Sequence, residues 1–135
     1  MGRVGKTLTL VQIVEINRRM LTTFGGFFVE ANDNLLNPDP LHYTLEAIQV
    51  PIIAQERYPT PIEKAAALAW CIITHHVFYD GNKRTGMETC RLFLDINGCT
   101  LPINRQVVQI ALDIATRQIT FETFVSWLKE RTYSG

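Results

Sequence analysis

The stretch from Thr60 to His75, Thr-Pro-Ile-Glu-Lys-Ala-Ala-Ala-Leu-Ala-Trp-Cys-Ile-Ile-Thr-His, constrains the fold more than any other part of the chain. It opens with a threonine cap, and a proline follows at the first helical position, where a missing N–H costs nothing. Glu63 stands where it can reach back to the cap. From Ile62 to Ile73 apolar residues then cover nearly every face of the helix. A helix that is apolar all round has no side to give to water, so the remaining chain must surround it.

Helix-start signals recur elsewhere, and no alternating strand pattern competes with them. Thr9 and Gln12 make a capping-box pair, with Leu8 facing Ile13 as a hydrophobic staple. Leu10, Ile13, Val14, Ile16, Met20 and Leu21 give that helix an apolar stripe, which Gly25-Gly26 stops. Residues 27–38, with three Asn and one Asp, read as loop. Asp39 is expected to cap a short helix to about Gln49, with Pro40 at its first position. Residues 50–59, which include Pro51 and Pro59, read as an extended arm. After a loop over residues 76–81, a helix is predicted from Asn82 to about Asn97, ended by Gly98. Asn104 and Thr120 cap two more, with Ile103–Val108 and Ile119–Phe124 as staple pairs and Glu122 near the positive helix end. The expectation is an all-α fold: a single compact domain over residues 1–135, of about six helices with a short extended flap.

With 135 residues, 47% of them hydrophobic, the chain suits one domain with a real core. Thirteen basic residues balance thirteen acidic ones, which argues against a general nucleic-acid surface. Cys71, Cys90 and Cys99 form no Cys-x-x-Cys unit, and two of them fall in apolar helix, so inert core thiols in a reducing compartment are expected. No stretch reaches the ~20 apolar residues of a membrane span. The segment from Met1 to Lys6 lacks a signal peptide's apolar region. A cytoplasmic protein is the expectation.

Chemistry gathers where the central helix gives way to the next one, at His76-Val77-Phe78-Tyr79-Asp80-Gly81-Asn82-Lys83-Arg84-Thr85. The first turn of a helix presents N–H groups without intrahelical partners, and its dipole favours negative charge. Lys83 and Arg84 put two cations at the end of the helix where cations are least comfortable, at about 0.3–1 kcal/mol each unless an anion is bound. Gly81 permits a close backbone approach to a ligand. Asp80 is a carboxylate suited to a Mg²⁺ that bridges phosphate oxygens. His76 can serve as a base for an attacking hydroxyl. Phosphoryl-type transfer relies on positioning and electrostatics, which this set supplies.

The segment resembles the signature of the Fic/Doc superfamily, His-x-Phe-x-(Asp/Glu)-(Gly/Ala)-Asn-(Gly/Lys)-Arg, at every fixed position. The likeness extends over roughly residues 8–131, more weakly between 27 and 59. It implies the Fic fold and a transferase using ATP or another NTP with Mg²⁺. By the same resemblance, His76 is the base, Asp80 the metal ligand, and Gly81, Asn82, Lys83, Arg84 and Thr85 the nucleotide-binding residues. Lys83 and Arg84 also count in the catalytic set, and Asn82 also positions the loop. Residues 50–58 would be the counterpart of the family's strand-like flap, which aligns the target segment.

AMP-transferring members carry Gly at the position of Lys83 and a second Arg at that of Met87. This chain instead resembles the death-on-curing (Doc) branch, although Gly81 replaces the alanine of its best-known member. That branch implies transfer of the γ-phosphate to a protein hydroxyl, with AMP transfer (AMPylation) as the alternative. It also implies a toxin–antitoxin context, elongation factor Tu as the best-known target, and an antitoxin partner. A binding module of the same fold, without turnover, is a further alternative.

Ser126-Trp127-Leu128-Lys129-Glu130 fits the inhibitory string Ser/Thr-x-x-x-Glu, but Arg131 follows it and Met87 replaces the Arg it would pair with, so it reads as surface helix. Gly2-Arg3-Val4-Gly5-Lys6-Thr7 echoes a P-loop with the wrong glycine spacing. His75 and His42 read as packing or surface residues. A His/Asp metal phosphohydrolase is disfavoured because few other histidines are available to share a metal. Arg18, Arg19 and Arg105 read as solvent-facing.

Overall fold

Threonine caps open three of the seven α-helices in this computed structural model, which describes residues 5–134. Thr9 heads α1 (Leu10–Phe24): its hydroxyl takes the Gln12 N–H at 3.2 Å, and Gln12 Oε1 takes the Thr9 N–H at 2.8 Å. Helices α2 (Asp39–Ala47) and α3 (Pro51–Arg57) follow. Thr60 and Glu63 close the same box on α4 (Pro61–Thr74). Next come α5 (Asn82–Ile96) and α6 (Arg105–Ala115), the latter capped by Asn104 through the Gln106 N–H. Thr120 heads α7 (Phe121–Arg131). Each side-chain cap stabilises its helix by about 1 kcal/mol.

The α4 helix lies at the centre, packed chiefly on α5 and also against α2, α6 and α7. Ala65, Ala66, Leu68, Ala69 and Ile72 are wholly buried along it, as all-round apolarity requires. It comes near α5 at Gly86, where a β-carbon would meet Ile73 Cγ1 at 2.7 Å and the Ala69 carbonyl at 3.2 Å. Gly86→Ala is therefore expected to destabilise the fold by about 1–3 kcal/mol through overpacking. Urea unfolding checks this, and an unmoved midpoint would mean that the two helices separate freely.

The arm expected over residues 50–59 is instead helical. Pro51 occupies the first position of α3, where its missing N–H costs nothing, and Ala54 is buried beneath it. The Pro59 ring keeps Tyr58 out of helical geometry, at φ −137°, so the helix stops there. Buried Lys64 donates its ammonium to the Tyr58 carbonyl at 2.8 Å and pins the joint to α4. The all-α reading stands, with α3 as the added helix.

Pro38, not Asp39, takes the cap position of α2; it is already helical, and its carbonyl accepts the Leu41 and His42 N–H groups. The predicted staple of α6 does not close, since Ile103 and Val108 are 57% and 72% exposed. Cys99–Thr100 (β1) pairs antiparallel with Tyr133–Ser134 (β2), Cys99 facing Ser134, in strands too short to leave a pattern. All three cysteines are free; burial pushes the Cys71 and Cys90 thiols up, away from reactivity. Among the described residues no helix is long and apolar enough to cross a membrane.

Candidate active site

The end of α4 is a turn that glycine normally makes. His75 caps the helix, His76 follows in the left-handed region at φ 49°, and the Val77 N–H returns to the Ile72 carbonyl at 3.4 Å. This is the Schellman stop, and a side chain at its left-handed position costs about 1 kcal/mol relative to glycine. Strain of this kind gathers at functional sites. The cost leaves an imidazole exposed at the surface, with its backbone held on both sides. Asn37 donates its amide to the His75 carbonyl at 3.1 Å. Leu36 and Asn37 donate their N–H groups to the Val77 carbonyl, and Tyr79 donates to the Asn34 carbonyl at 2.9 Å. Val77 and Phe78 are wholly buried and anchor the strand of chain between His76 and Asp80.

Asp80 is exposed, with one oxygen accepting the Gly81 N–H at 2.8 Å and the other the Phe27 N–H at 3.1 Å. Phe27 can come so near because Gly26 precedes it; a β-carbon there would stand 2.8 Å from Asp80 Oδ2 and strike Leu21. Gly81, at φ 78°, is the cap residue of α5, and a β-carbon on it would press Leu21 and Asn17. No side chain caps α5. The N–H groups of Asn82, Lys83 and Arg84 have no hydrogen-bond partner among the described residues, so three donors face outward at the positive helix end.

The side chains of that first turn divide their work. Asn82 clamps Phe78 from both directions: its Oδ1 accepts the Phe78 N–H at 2.9 Å, and its Nδ2 donates to the Phe78 carbonyl at 2.8 Å. It thus holds the loop, as expected, with both polar atoms of its side chain engaged on the Phe78 backbone. Thr85 was expected among the nucleotide contacts, but its side chain lies wholly buried, and its N–H closes the first helical bond to Gly81. It supports the helix start from beneath. Lys83 and Arg84 are exposed, and the Arg84 guanidinium stands 4.0 Å over the Phe24 ring. Both cations line one end of a cleft of about 410 Å³ between α1, α5 and α6, with Met87 in its wall.

A buried polar chain, not anticipated from the sequence, holds the site to the fold. Asn17 of α1 donates to the Asp80 carbonyl and to the Thr85 hydroxyl, each at 2.9 Å. Asn34 donates to Asn17 Oδ1 at 2.9 Å and accepts the Val29 N–H at the same distance. All three side chains are fully buried. The available signal was Asn17 itself, a polar residue on the apolar stripe between Ile13 and Leu21. Arg18, taken as solvent-facing, pairs with Glu30 at 2.7 Å and covers the Phe28 ring, tethering the same loop.

The string from Ser126 to Glu130 lies on α7, which packs against α4, and Glu130 pairs with Arg131. The P-loop echo begins outside the described residues. Of its described part, Lys6 gives its N–H to Asn97 Oδ1. Among the described residues no three His, Cys, Asp or Glu converge as a metal cage.

No curated protein matches the chain. A family model does: that of the Fic/DOC family matches residues 7–94, from the segment before α1 to the last turns of α5, and takes in the turn, the helix start and the buried Asn chain. The chain belongs to the Fic/DOC family.

Proposed function

We propose that the protein transfers the γ-phosphate of ATP or another NTP to a hydroxyl side chain of a target protein. Members of its family are typically transferases of nucleotidyl or phosphoryl groups. The observation that carries the reading is the strained, exposed His76 set six residues ahead of a helix start that no side chain caps and whose first turn carries Lys83 and Arg84. In the reaction the target hydroxyl oxygen forms a bond to the γ-phosphorus while the bridge to the β-phosphate breaks, releasing the nucleoside diphosphate. The hydroxyl proton goes to the His76 imidazole. The outward N–H groups of Asn82, Lys83 and Arg84, with the two side-chain cations, hold the phosphate charge as it shifts toward the leaving group.

Asp80 suits Mg²⁺. It is an exposed hard-oxygen donor whose two oxygens each accept one backbone N–H and keep further lone pairs. Magnesium is commonly held by one or two carboxylates together with substrate phosphates, which also fits a site with no protein cage. Bound there, Mg²⁺ would neutralise phosphate charge. The Doc-like Lys83 and the apolar Met87 further support a toxin acting on a translation factor such as elongation factor Tu, restrained by an antitoxin.

Incubating the protein with lysate and ATP labelled separately at the α and γ positions tests the reaction. A protein band labelled from γ alone is the expected result. Label from α would assign AMP transfer, and no band with either label would leave a binding module. Lys83→Gly is expected to cut γ-transfer by about 10²–10³-fold, the loss usual for one charge-stabilising donor.

A further inference from the structure

A second recess of about 410 Å³, between α2, α4 and the start of α7, shares no residue with the cleft at Lys83 and Arg84. Four aromatic rings wall it: Tyr43 of α2, Tyr58 at the end of α3, Trp70 of α4 and Phe121 of α7. Phe121 stands T-shaped against two of them, 5.8 Å from Trp70 at 84° and 6.3 Å from Tyr58 at 77°. Such walls offer a large apolar area at fixed geometry. His75 belongs to the same lining, so the recess adjoins the turn that carries His76. No carboxylate, lysine or arginine lines it. Asp39 and Glu122, the acids next in sequence to its lining, sit in the first turns of α2 and α7 and stay outside it.

Two exposed arginines stand beside the recess, and among the described residues neither pairs with a carboxylate. Arg57 donates to the Tyr43 hydroxyl at 3.3 Å. Arg117 reaches only the Thr74 carbonyl, at 3.5 Å, the far edge of hydrogen bonding. Its backbone is left-handed, at φ 59°. The Arg117 and Gln118 N–H groups return to the Ile114 and Asp113 carbonyls at 3.1 and 2.8 Å. Arg117 therefore ends α6 in the same Schellman stop in which His76 ends α4, at the position glycine normally fills. The stop gains nothing from a guanidinium, so the strained position is occupied for its side chain.

We infer that this recess seats a bulky apolar side chain of the target protein, carried on an acidic segment that Arg57 and Arg117 hold. The inference rests on the function proposed above and adds the chemistry by which the site chooses its target. The recess meets the His76 turn through His75, so a segment anchored in it can bring a hydroxyl to the imidazole. An extended segment advances about 3.3–3.6 Å per residue, which places anchor and hydroxyl within a few residues of each other. Burial of the anchor among the four rings supplies the affinity. The two arginines, free of carboxylates of their own, favour acidic neighbours and repel basic ones.

Calorimetric titration of the full chain with three end-blocked peptides at low salt tests this: Glu-Asp-Phe-Asp-Glu, its analogue with Ala at the centre, and Lys-Lys-Phe-Lys-Lys. The acidic Phe peptide is expected to bind about 10-fold or more tighter than the Ala peptide, the margin that burial of one aromatic side chain provides. It should bind about 10-fold tighter than the basic peptide, and this second margin should shrink as salt is raised. Tyr43→Ala should remove the first margin, and Arg57→Gln with Arg117→Gly the second. All three positions are exposed, and thermal midpoints show that the variants are folded. Arg117→Gly alone should melt no earlier than the native chain yet bind the acidic peptide more weakly, a split that an arginine serving only to end α6 would not give. The acidic Phe peptide should also slow γ-label transfer to the lysate band without changing the affinity for ATP. Absence of binding by that peptide, loss of either margin in the native chain, or margins that survive the variants would overturn the inference. A peptide that binds in the recess and leaves transfer untouched would take the recess away from the target. Peptide binding as expected with no labelled band from lysate would overturn the proposed function, and with it the target as occupant, while the binding site itself stands.

Discussion

Replacing His76 by glycine is expected to raise the thermal midpoint while removing nearly all transfer activity. At φ 49° the residue holds a conformation that glycine reaches freely, so the change relieves about 1 kcal/mol. For a domain of this size that corresponds to a rise of roughly 3–4 °C. Loss of the base should lower the transfer rate by about 10²–10⁴-fold. His76→Ala separates the two effects: it loses the same activity but keeps a β-carbon in the left-handed turn, so its midpoint should not rise. Thermal unfolding and γ-label transfer on all three proteins decide the matter. A glycine variant that still transfers would remove His76 from the chemistry. One that melts earlier than native would show that the turn carries no strain. Opposite signs for stability and activity are the mark of a residue retained for function against the preference of its backbone.

What the sequence conveyed depended on how far apart the interacting residues stand. The caps at Thr9, Thr60, Asn104 and Thr120 were readable because a cap and its partner lie two or three residues apart. The candidate site could be delimited for the same reason, since His76, Asp80, Lys83 and Arg84 fall within nine residues. The α3 helix was missed because Pro51 and Pro59 were read as breakers, although a proline at a first position favours a helix start. The Ile103–Val108 pair has the spacing of a staple, but nothing local tells that its surroundings stay open. The cleft is assembled from α1, α5 and α6, three segments with no common pattern. Asn17 was visible as an anomaly on an apolar stripe, yet its partners lie 17, 63 and 68 residues away. Asn34, at φ 61°, belongs to a left-handed pair with Asp33, which Asn and Asp tolerate better than other residues, and this gave no hint of its buried bond to α1.

Asn17 makes the second large prediction, because three parts of the site meet on one side chain. Asn17→Leu keeps the volume and removes every hydrogen bond. The Thr85 hydroxyl and the Asn34 amide then lose partners in a buried region, and the Asp80 carbonyl loses one at a part-buried position. Each buried group left unpaired costs about 1–3 kcal/mol, and relaxation of the loop should hold the sum near 3–5 kcal/mol. That is a fall in midpoint on the order of 10–20 °C. Well below the new midpoint the variant should still transfer more slowly, by about 10–100-fold, since displacement of catalytic groups by as little as 1 Å is costly. Hydrogen exchange distinguishes this from general weakening: the Tyr79 and Gly81 N–H groups, bonded to Asn34 and Asp80, should exchange faster, while α7 exchanges no sooner than its lowered global stability allows. Asn37→Ala serves as the comparison. Its amide supports only the His75 carbonyl at an exposed position, so it should cost less than about 1 kcal/mol. If Asn17→Leu melts like the native chain, the buried Asn chain does not hold the site together, and the placing of Asp80 must come from the glycine turns alone.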